Sequence, residues 1–337
     1  MRVLITGGYG FIGAWIIRNL LARGDEVWVY DLREDARRLR LILPESEVAK
    51  VTFVQGDVCD LKSLSAAITS HKISHIIHLA GLQVPTCRAD PMLGAKVNVL
   101  GTLAVFEAVK AAGDQVKRLV YASSAAVFGG PDKYPAGAQP DDAPLVPSTQ
   151  YGVFKCCNEG NARIYFQDFG ISSVGLRPWT VYGVGRDLGM TSEPTKAIKA
   201  VLLGRPYHIN FGGSSDFQYV DDVAKTFIYS MDRPYKGAKS YNLRGAVIAM
   251  KEFHAALATV LPEAAKLVTF GTTQIAIAYD LSDAGLQRDL GPMPKTPLVD
   301  GIRETVAIFK QLQAENRFDV SDLEAPKTAP VVVADEP

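Results

Sequence analysis

Tyr151 and Lys155 are four residues apart in the segment YGVFK, within a stretch that contains no proline and is typical of a helix. Because an α-helix has about 3.6 residues per turn, this spacing places the phenol and the ammonium on one helix face. A nearby ammonium lowers the pKa of a phenol, so Tyr151 could act as a base near neutral pH. The pair is suited to removing a proton from an alcohol, although two surface residues could show the same spacing.

A glycine-rich segment at the N-terminus gives this pair a context. The apolar segment 2–6 predicts a buried strand, and TGGYGFIG leads directly from it into an amphipathic helix. Gly7, Gly10 and Gly13 are spaced for a tight turn whose backbone closely approaches a pyrophosphate at the helix N-terminus. Such glycines alone are weak evidence, but a strand before them and a helix after them are the context of a dinucleotide site.

The second predicted strand, EVWVYD, ends in Asp31, where a carboxylate would bind the ribose hydroxyls of adenosine. An acidic side chain there repels a 2′-phosphate, so the sequence favours NAD over NADP. Arg33 weakens this preference because it could pair with such a phosphate, and Asp31 could also simply end a turn. Asp57 and Val58, just after the third strand, are expected at the adenine.

The elements that must position these residues alternate along the first half of the chain. Strands are predicted at 2–6, 26–31, 51–55, 75–80, 118–123 and 172–177, with helices near 11–23, 60–70, 92–113 and 150–169. This alternation, with continuously apolar strands, is typical of βαβ units. The predicted fold class is therefore α/β, with a Rossmann-like doubly wound parallel sheet.

The pattern changes after residue 178, where glycine and proline become frequent. We expect a dinucleotide-binding domain at 1–178, which includes the helix of Tyr151, and a smaller α/β substrate-binding lobe at 179–318. Some segments of this lobe are expected to return to the first domain. Its predicted helices lie near 195–204, 221–232, 250–261 and 297–316. The acidic, proline-containing segment 319–337 is predicted to be a tail.

Composition excludes several kinds of partner. The 337 residues include 36 Lys+Arg and 36 Asp+Glu, so the net charge is zero and nothing indicates binding to nucleic acid or anionic lipid. The 4 cysteines show no CxxC pair, which indicates reduced thiols and no metal site. The sequence shows neither a signal peptide nor an apolar run of about 18 residues. A cytoplasmic protein that binds small molecules or its own copy is expected.

Further motifs follow the glycine turn and its aspartate in a fixed order. They are YD at 30–31, GDV at 56–58, HLAG at 78–81, Asn98 in KVNVLGT, SSAAVFG at 123–129, YGVFK at 151–155, RPWTVYG at 177–183 and YVDDVA at 219–224. Over residues 1–316 the chain resembles the extended short-chain dehydrogenases/reductases of the NAD-dependent epimerase/dehydratase type. The resemblance implies NAD as the cofactor and a homodimer formed by the helices near 92–113 and 150–169, although their apolar residues could equally belong to the core.

The resemblance also implies roles for individual residues. Tyr151 would be the catalytic base or acid, Lys155 would bind the nicotinamide ribose and lower the tyrosine pKa, and Ser124 would hydrogen-bond the reacting oxygen, with Ser123 as its rival. The implied cofactor-binding residues are Gly7, Gly10, Phe11, Ile12, Gly13, Asp31, Arg33, Asp57, Val58, Leu79, Ala80, Gly81, Asn98, Ser123, Tyr151, Lys155 and Pro178. The expected substrate-binding residues are Gln83, Thr86, Ser124, Trp179, Thr180 and Arg186.

The chain departs from this family at positions that decide the reaction. Dehydratases carry an acid pair after the catalytic serine, where this chain has Ala125 and Ala126, so dehydration is not expected. Nucleotide-sugar epimerases carry an Asn and an Arg that contact the diphosphate, where this chain has Thr180 and Ser215. Losing that arginine argues against a nucleotide-sugar substrate. Arg186, His208 or Arg244 could compensate.

These observations predict an NAD-dependent oxidoreductase that oxidises a secondary hydroxyl of a sugar, sugar acid or similar small polar alcohol. One alternative is a sugar or nucleotide-sugar epimerase similar to UDP-glucose 4-epimerase, in which the cofactor stays tightly bound. A second alternative is a non-catalytic dinucleotide sensor, which the presence of both Tyr151 and Lys155 disfavours.

Overall fold

A computed structural model describes residues 1–324 of the chain. The strands are β1 Arg2–Thr6, β2 Glu26–Asp31, β3 Thr52–Gln55, β4 His75–His78, β5 Arg118–Ala122, β6 Ser173–Arg177, β7 Thr180–Tyr182, β8 Tyr207–Ile209, β9 Ser214–Tyr219, β10 Ala238–Asn242, β11 Ala246–Ala249 and β12 Val268–Phe270. The α-helices are α1 Phe11–Ala22, α2 Arg37–Arg40, α3 Glu45–Val48, α4 Leu61–Ser70, α5 Val84–Ala89, α6 Pro91–Ala95, α7 Gly101–Ala112, α8 Gln150–Phe169, α9 Glu193–Leu202, α10 Val220–Asp232, α11 Met250–Val260, α12 Ala264–Leu267, α13 Ala284–Leu290, α14 Leu298–Ala314 and α15 Ser321–Glu324. Of the predicted tail, 325–337 lies outside the described residues.

Seven strands form one parallel sheet in the order β3-β2-β1-β4-β5-β6-β10. The order reverses at β1, which pairs with β2 on one side and β4 on the other, as in a doubly wound Rossmann-like fold. The predicted fold class is therefore confirmed. The seventh strand, β10, returns from the second half of the chain.

Alternation along the strands builds a core on each face of the sheet. In β1, Val3 and Ile5 pack in the larger core with α1 and α10, whereas Leu4 packs in the opposite core with residues of α4 and α7. All three side chains are fully buried. Burial on both faces explains why the strands are continuously apolar in sequence.

The segments after β6, called the second lobe below, form two smaller sheets. The first is a three-stranded sheet, β11-β9-β7, in which β9 pairs parallel to β7 and antiparallel to β11. A small parallel pair, β8 and β12, lies beside α9. The larger core runs without interruption from α1 into this lobe, so the two lobes share one apolar interior.

The helical stretch Pro91–Gln115 combines α6, a π-helical turn at Lys96–Leu100, α7 and a short 3₁₀ turn. By length and composition it is apolar enough to cross a membrane, whereas no apolar run of about 18 residues was expected from the sequence. Half of its most apolar window is buried inside the fold. A core helix shows the same features, so this stretch is weak evidence for a membrane span.

Candidate active site

A cavity of about 670 Å³ lies at the carboxyl ends of the central strands, between the sheet and the second lobe. This is the crevice at which open α/β sheets bind ligands. The predicted site residues on its wall are Gly7, Gly10, Phe11, Ile12, Gly13, Asp31, Arg33, Asp57, Val58, Leu79, Ala80, Gly81, Gln83, Ser123, Ser124, Tyr151, Lys155, Pro178, Trp179 and Arg186. Three others, Thr86, Asn98 and Thr180, do not line the cavity.

The glycine turn has the geometry of a dinucleotide site. Gly7 has a φ of +67°, and a Cβ there would lie 2.7 Å from the backbone nitrogen of Ala80. Helix α1 begins after Gly10 without a side-chain cap, which leaves the first-turn N–H groups available to an anion. The cradle that a side chain would fill therefore fits the pyrophosphate of NAD.

The adenosine end of the cavity lies at the ends of β2 and β3. Asp31 is partly buried, accepts a hydrogen bond from the backbone of Leu32 over 2.8 Å, and has its pKa raised by burial. The Tyr30 hydroxyl donates a hydrogen bond to the carbonyl of Asp57 over 3.2 Å and so fixes the loop that follows β3. Arg33 lies on the same wall and is exposed.

The Tyr151 and Lys155 pair lies at the start of α8, where Thr149 caps the helix by accepting a hydrogen bond from Gly152 over 3.1 Å. The Nζ atom of Lys155 lies 5.5 Å from the centre of the Tyr151 ring and donates to the carbonyl of Ala122 over 2.7 Å. Phenol and ammonium therefore lie on one helix face at the cavity.

The electrostatics of this pair differ from the expectation. Burial raises the pKa of Tyr151, while the Ser124 hydroxyl and the charge of Arg186 lower it. From the four-residue spacing, Lys155 was expected to be the group that lowers the pKa of Tyr151. Burial lowers the pKa of Lys155 itself to about 8. Ser124 is the serine that interacts with Tyr151, whereas Ser123 donates to Glu159 over 2.5 Å.

Two buried polar residues support the cavity from behind. His78 hydrogen-bonds Thr6 over 2.6 Å and Thr102 over 3.0 Å, and its burial lowers its pKa to about 3, so the ring is neutral. Asn98 donates to the carbonyl of Gly94 over 3.1 Å, and its Oδ1 has no partner among the described residues. A Cβ on Gly81 would lie 2.6 Å from that Oδ1, so Asn98 lies behind the cavity wall.

The aromatic wall of the substrate end is provided by Trp179. Its indole Nε1 donates to the carbonyl of Ala278 over 2.7 Å, and its backbone nitrogen donates to Gln218 over 3.0 Å. The neighbouring Thr180 is fully buried and hydrogen-bonds Ser215 over 2.8 Å. Because strand side chains alternate, Thr180 points away from the cavity that Trp179 and Val181 line, so its predicted contact with substrate stays a prediction.

Arg186 contributes a guanidinium to the cavity with no carboxylate bound to it among the described residues. Its Nη2 donates to the Thr191 hydroxyl over 2.9 Å, while its buried Nε has no partner in that part of the chain. The adjacent Asp187 instead accepts from Arg38 over 2.8 Å. Burial lowers the pKa of Arg186 to about 10, and its Cζ lies 5.6 Å from the centre of the Phe11 ring.

Several cavity residues were not found from the sequence. Arg38 follows a polar segment and carried no motif, and its contact with Asp187 depends on chain folding across distant residues. Met190 and Thr191 reach the wall from a short 3₁₀ turn, and Ile277 reaches it from an irregular segment. Their only signal in the sequence was their position in loops after the motifs of the first domain.

The fold and the cavity define an NAD-dependent enzyme of the extended short-chain dehydrogenase/reductase type. A family model described as "NAD dependent epimerase/dehydratase family" matches residues 3–243, and the chain belongs to this family. The chain is 30% identical over 318 residues to UDP-glucose 4-epimerase of Mycolicibacterium smegmatis, covering 92% of this chain and 99% of that protein. It is 29% identical to UDP-glucuronate 4-epimerase 3 of Arabidopsis thaliana, covering 90% and 75%.

Solved structures of this family and fold are also similar to the chain. UDP-glucose 4-epimerase of Thermus thermophilus, in complex with NAD, has a TM-score of 0.77 and 30% identity over 92% of this chain and 99% of that one. A partial consensus L-threonine 3-dehydrogenase has a TM-score of 0.81 at 22% identity, covering 92% of this chain and 100% of that one, a likeness of fold alone. NAD as the cofactor agrees with these relatives and with the glycine cradle.

Proposed function

We propose that this protein oxidises a secondary hydroxyl group of a sugar, sugar acid or similar small polar alcohol. The observation that carries the proposal is the set of Ser124, Tyr151 and Lys155 at one end of a cavity that also fits NAD. Ala125 and Ala126 line the same end, where an acid pair would be needed for dehydration. Oxidation of an alcohol needs no acid pair at these two positions.

In the proposed reaction, some side chains of the cavity transfer the proton and others orient the substrate. Tyr151 accepts the hydroxyl proton of the substrate, and Ser124 donates a hydrogen bond to the oxygen as it becomes a carbonyl. Lys155 supplies a positive charge beside the phenol, and its bond to the Ala122 carbonyl fixes its position. NAD, when bound, supplies the acceptor for the hydride. Trp179 provides an apolar face for the C–H surface of a sugar or polyol.

We place the acidic group of the substrate against Arg186. Arg186 is desolvated and forms no ion pair among the described residues, and only the nearby charge of Asp187 offsets this cost, so a substrate carboxylate that binds it gains a charge-assisted hydrogen bond. The side chains of Gln83 and Arg186 both approach Gly189, so the amide of Gln83 lies near the guanidinium of Arg186. This pair suits a hydroxy acid or sugar acid better than a neutral alcohol.

An epimerase is the second candidate, and the identity to UDP-glucose 4-epimerases favours it. In that case the oxidised intermediate would rotate within the site, NADH would return the hydride to its other face, and Tyr151 would return the proton. The burial of Thr180 and Ser215 against each other weighs against a nucleotide diphosphate, because neither side chain reaches the cavity.

We also propose that the protein forms a homodimer through α7, α8 and the turn before α7. Several large apolar side chains on these elements are exposed, namely Leu100, Val153, Ile164 and Phe169. Exposed apolar groups on neighbouring helices are typical of a subunit interface. Light scattering of wild-type protein and of I164E/F169E tests this assignment, with a monomer expected for the variant.

The experiment that tests the proposed function is a substrate panel with NAD in excess. Sugar acids, hydroxy acids, polyols, free sugars and UDP-sugars are each incubated with the protein, and NADH absorbance is followed. Net NADH with an acidic or polyol substrate supports the proposal. Conversion of a sugar to its epimer without net NADH would favour the second candidate and reject the first.

A further inference from the structure

A buried ion pair lies directly behind the Tyr151 and Lys155 pair. Glu159 is on α8 one helical turn after Lys155 and therefore on the same helix face. Arg177, the last residue of β6, donates from Nε to Glu159 Oε1 over 2.8 Å and from Nη2 to Oε2 over 2.7 Å. The Arg177 and Glu159 side chains are only 4% and 9% exposed.

The pair joins α8 to the carboxyl ends of three neighbouring strands. Ser123, which follows β5, donates to Glu159 Oε1 over 2.5 Å. Arg177 ends β6, and its Nη1 donates to Asn242, the last residue of β10, over 3.1 Å. The same Nη1 donates to the carbonyl of Asp141 over 2.8 Å. One carboxylate thus fixes the helix that carries the base to the sheet edge that carries the serines.

Stability alone is a poor explanation for this arrangement. Two charges removed from water lose solvation that their attraction only partly restores, and apolar replacements of buried pairs are often neutral or stabilising. The position of the pair is better explained by the site. Ser123 lies between Ala122, whose carbonyl accepts from Lys155, and Ser124, which interacts with Tyr151.

The charge of Glu159 acts on the lysine. The titratable groups that interact with Lys155 are Tyr151 and Glu159 on its own helix, Cys87 on α5 and His78 on β4. Burial raises the pKa of Cys87 and lowers that of His78, so both are uncharged near neutral pH. Burial lowers the pKa of Lys155, whereas Cys87 and, less strongly, Glu159 raise it. Because Cys87 is uncharged near neutral pH and Glu159 is paired with Arg177, the negative charge beside the lysine comes from Glu159.

We infer that Glu159, held by Arg177, is a positioning residue that places a negative charge one helical turn behind Lys155 and aligns Lys155 with Ala122 and Ser124. The inference rests on the proposed function in taking Lys155 as part of the reaction. It assigns a role to two residues that do not line the cavity.

The single variants separate this role from a structural one. E159Q removes the anion, so the alkaline limit of kcat/KM is expected to fall by about 0.5–1 pH unit, with a lower kcat. R177M breaks the same ion pair but keeps the carboxylate, so its alkaline limit stays at or above that of the wild type. D168N, an exposed carboxylate on the same helix, is the matched control and leaves the profile unchanged. Equal shifts in E159Q and R177M, or none in E159Q, would overturn the inference.

A second measurement does not depend on turnover or on stable single variants. NMR titration of ¹³C-labelled lysine, with the Lys155 signal assigned by its loss in K155R, reports the Lys155 pKa directly. The double variant E159Q/R177M leaves no unpaired charge, and its Lys155 pKa is expected below that of the wild type. An unchanged Lys155 pKa rejects the inference even if activity is found. If no alcohol is oxidised by the wild type, the proposed function fails, while the titration still decides the role of Glu159.

Discussion

Replacing Arg186 by glutamine is expected to weaken the binding of acidic substrates selectively. The Nε atom of Arg186 is buried without a partner among the described residues, and its Nη2 bonds only a neutral hydroxyl there. A hydrogen bond to a charged group contributes about 1.5–3 kcal/mol. The KM of a carboxylate substrate in R186Q should therefore rise about 10- to 150-fold, since 1.4 kcal/mol is about tenfold.

The same substitution should also change the pH dependence. Arg186 is one of the two groups that lower the pKa of Tyr151. Removing its positive charge raises the pKa of the phenol, so the acid limb of kcat/KM, where the base must lose its proton, moves to higher pH. This shift should appear with neutral as well as acidic substrates because it concerns the base.

The assay is initial-rate NADH formation with a matched acid and its uncharged amide or alcohol. Arg88, an exposed arginine on α5 that does not line the cavity, provides the control variant R88Q. R88Q should leave KM and the pH profile unchanged. If R186Q raises KM equally for the acid and the neutral analogue, the assignment of Arg186 to a substrate carboxylate is refuted. If it mainly weakens NAD binding, measured by calorimetry, Arg186 binds the cofactor phosphates instead.

Three further predictions concern the cofactor cradle and the catalytic pair. Y151F should lower kcat by about 10²- to 10⁴-fold with little change in the Kd of NAD, because general-base catalysis is lost while the cradle is intact. G7A should abolish NAD binding or folding, since φ of +67° is strained for alanine and its Cβ would meet Ala80; calorimetry and thermal melts distinguish these results. The pKa of Lys155 is about 8 in the fold and near its usual 10.5 when unfolded, so the unfolded chain binds more protons between these values. Urea titrations should show wild-type stability rising relative to K155M across this window, by at most about 1.4 kcal/mol per pH unit; parallel curves would contradict the burial of a titrating lysine.

The first half of the fold followed from the sequence because its strands are buried on both faces. The predicted segment 26–31 matches β2 residue for residue, and the predicted helix 150–169 matches α8. The short strands of the second lobe were missed, since β7 and β8 have three residues each and show no resolvable periodicity. Strand β10 was missed because its place beside β6 depends on tertiary contact.

The site was predicted to the extent that local motifs define it. The glycine turn and the helix of Tyr151 carry their own geometry, so spacing was enough to place them. The direction of Thr180 depends on the pairing of β7 with β9, which no local pattern reveals. Of the two groups that lower the Tyr151 pKa, Ser124 and Arg186, the arginine comes from a loop whose course is set by contacts such as Arg38 with Asp187.

In the proposed reaction, Tyr151 takes the proton of a secondary hydroxyl, and the carbon that bears the hydroxyl gives its hydride to NAD, with net formation of NADH. Its most direct test uses an acidic alcohol found in the panel, deuterated at the carbinol carbon, with NAD in excess over protein. Deuterium is expected at the nicotinamide C4 of free NADH, in amounts exceeding the protein, and this label should be lost in Y151F. Turnover that leaves the deuterium in the sugar product, with no labelled NADH released, would contradict it.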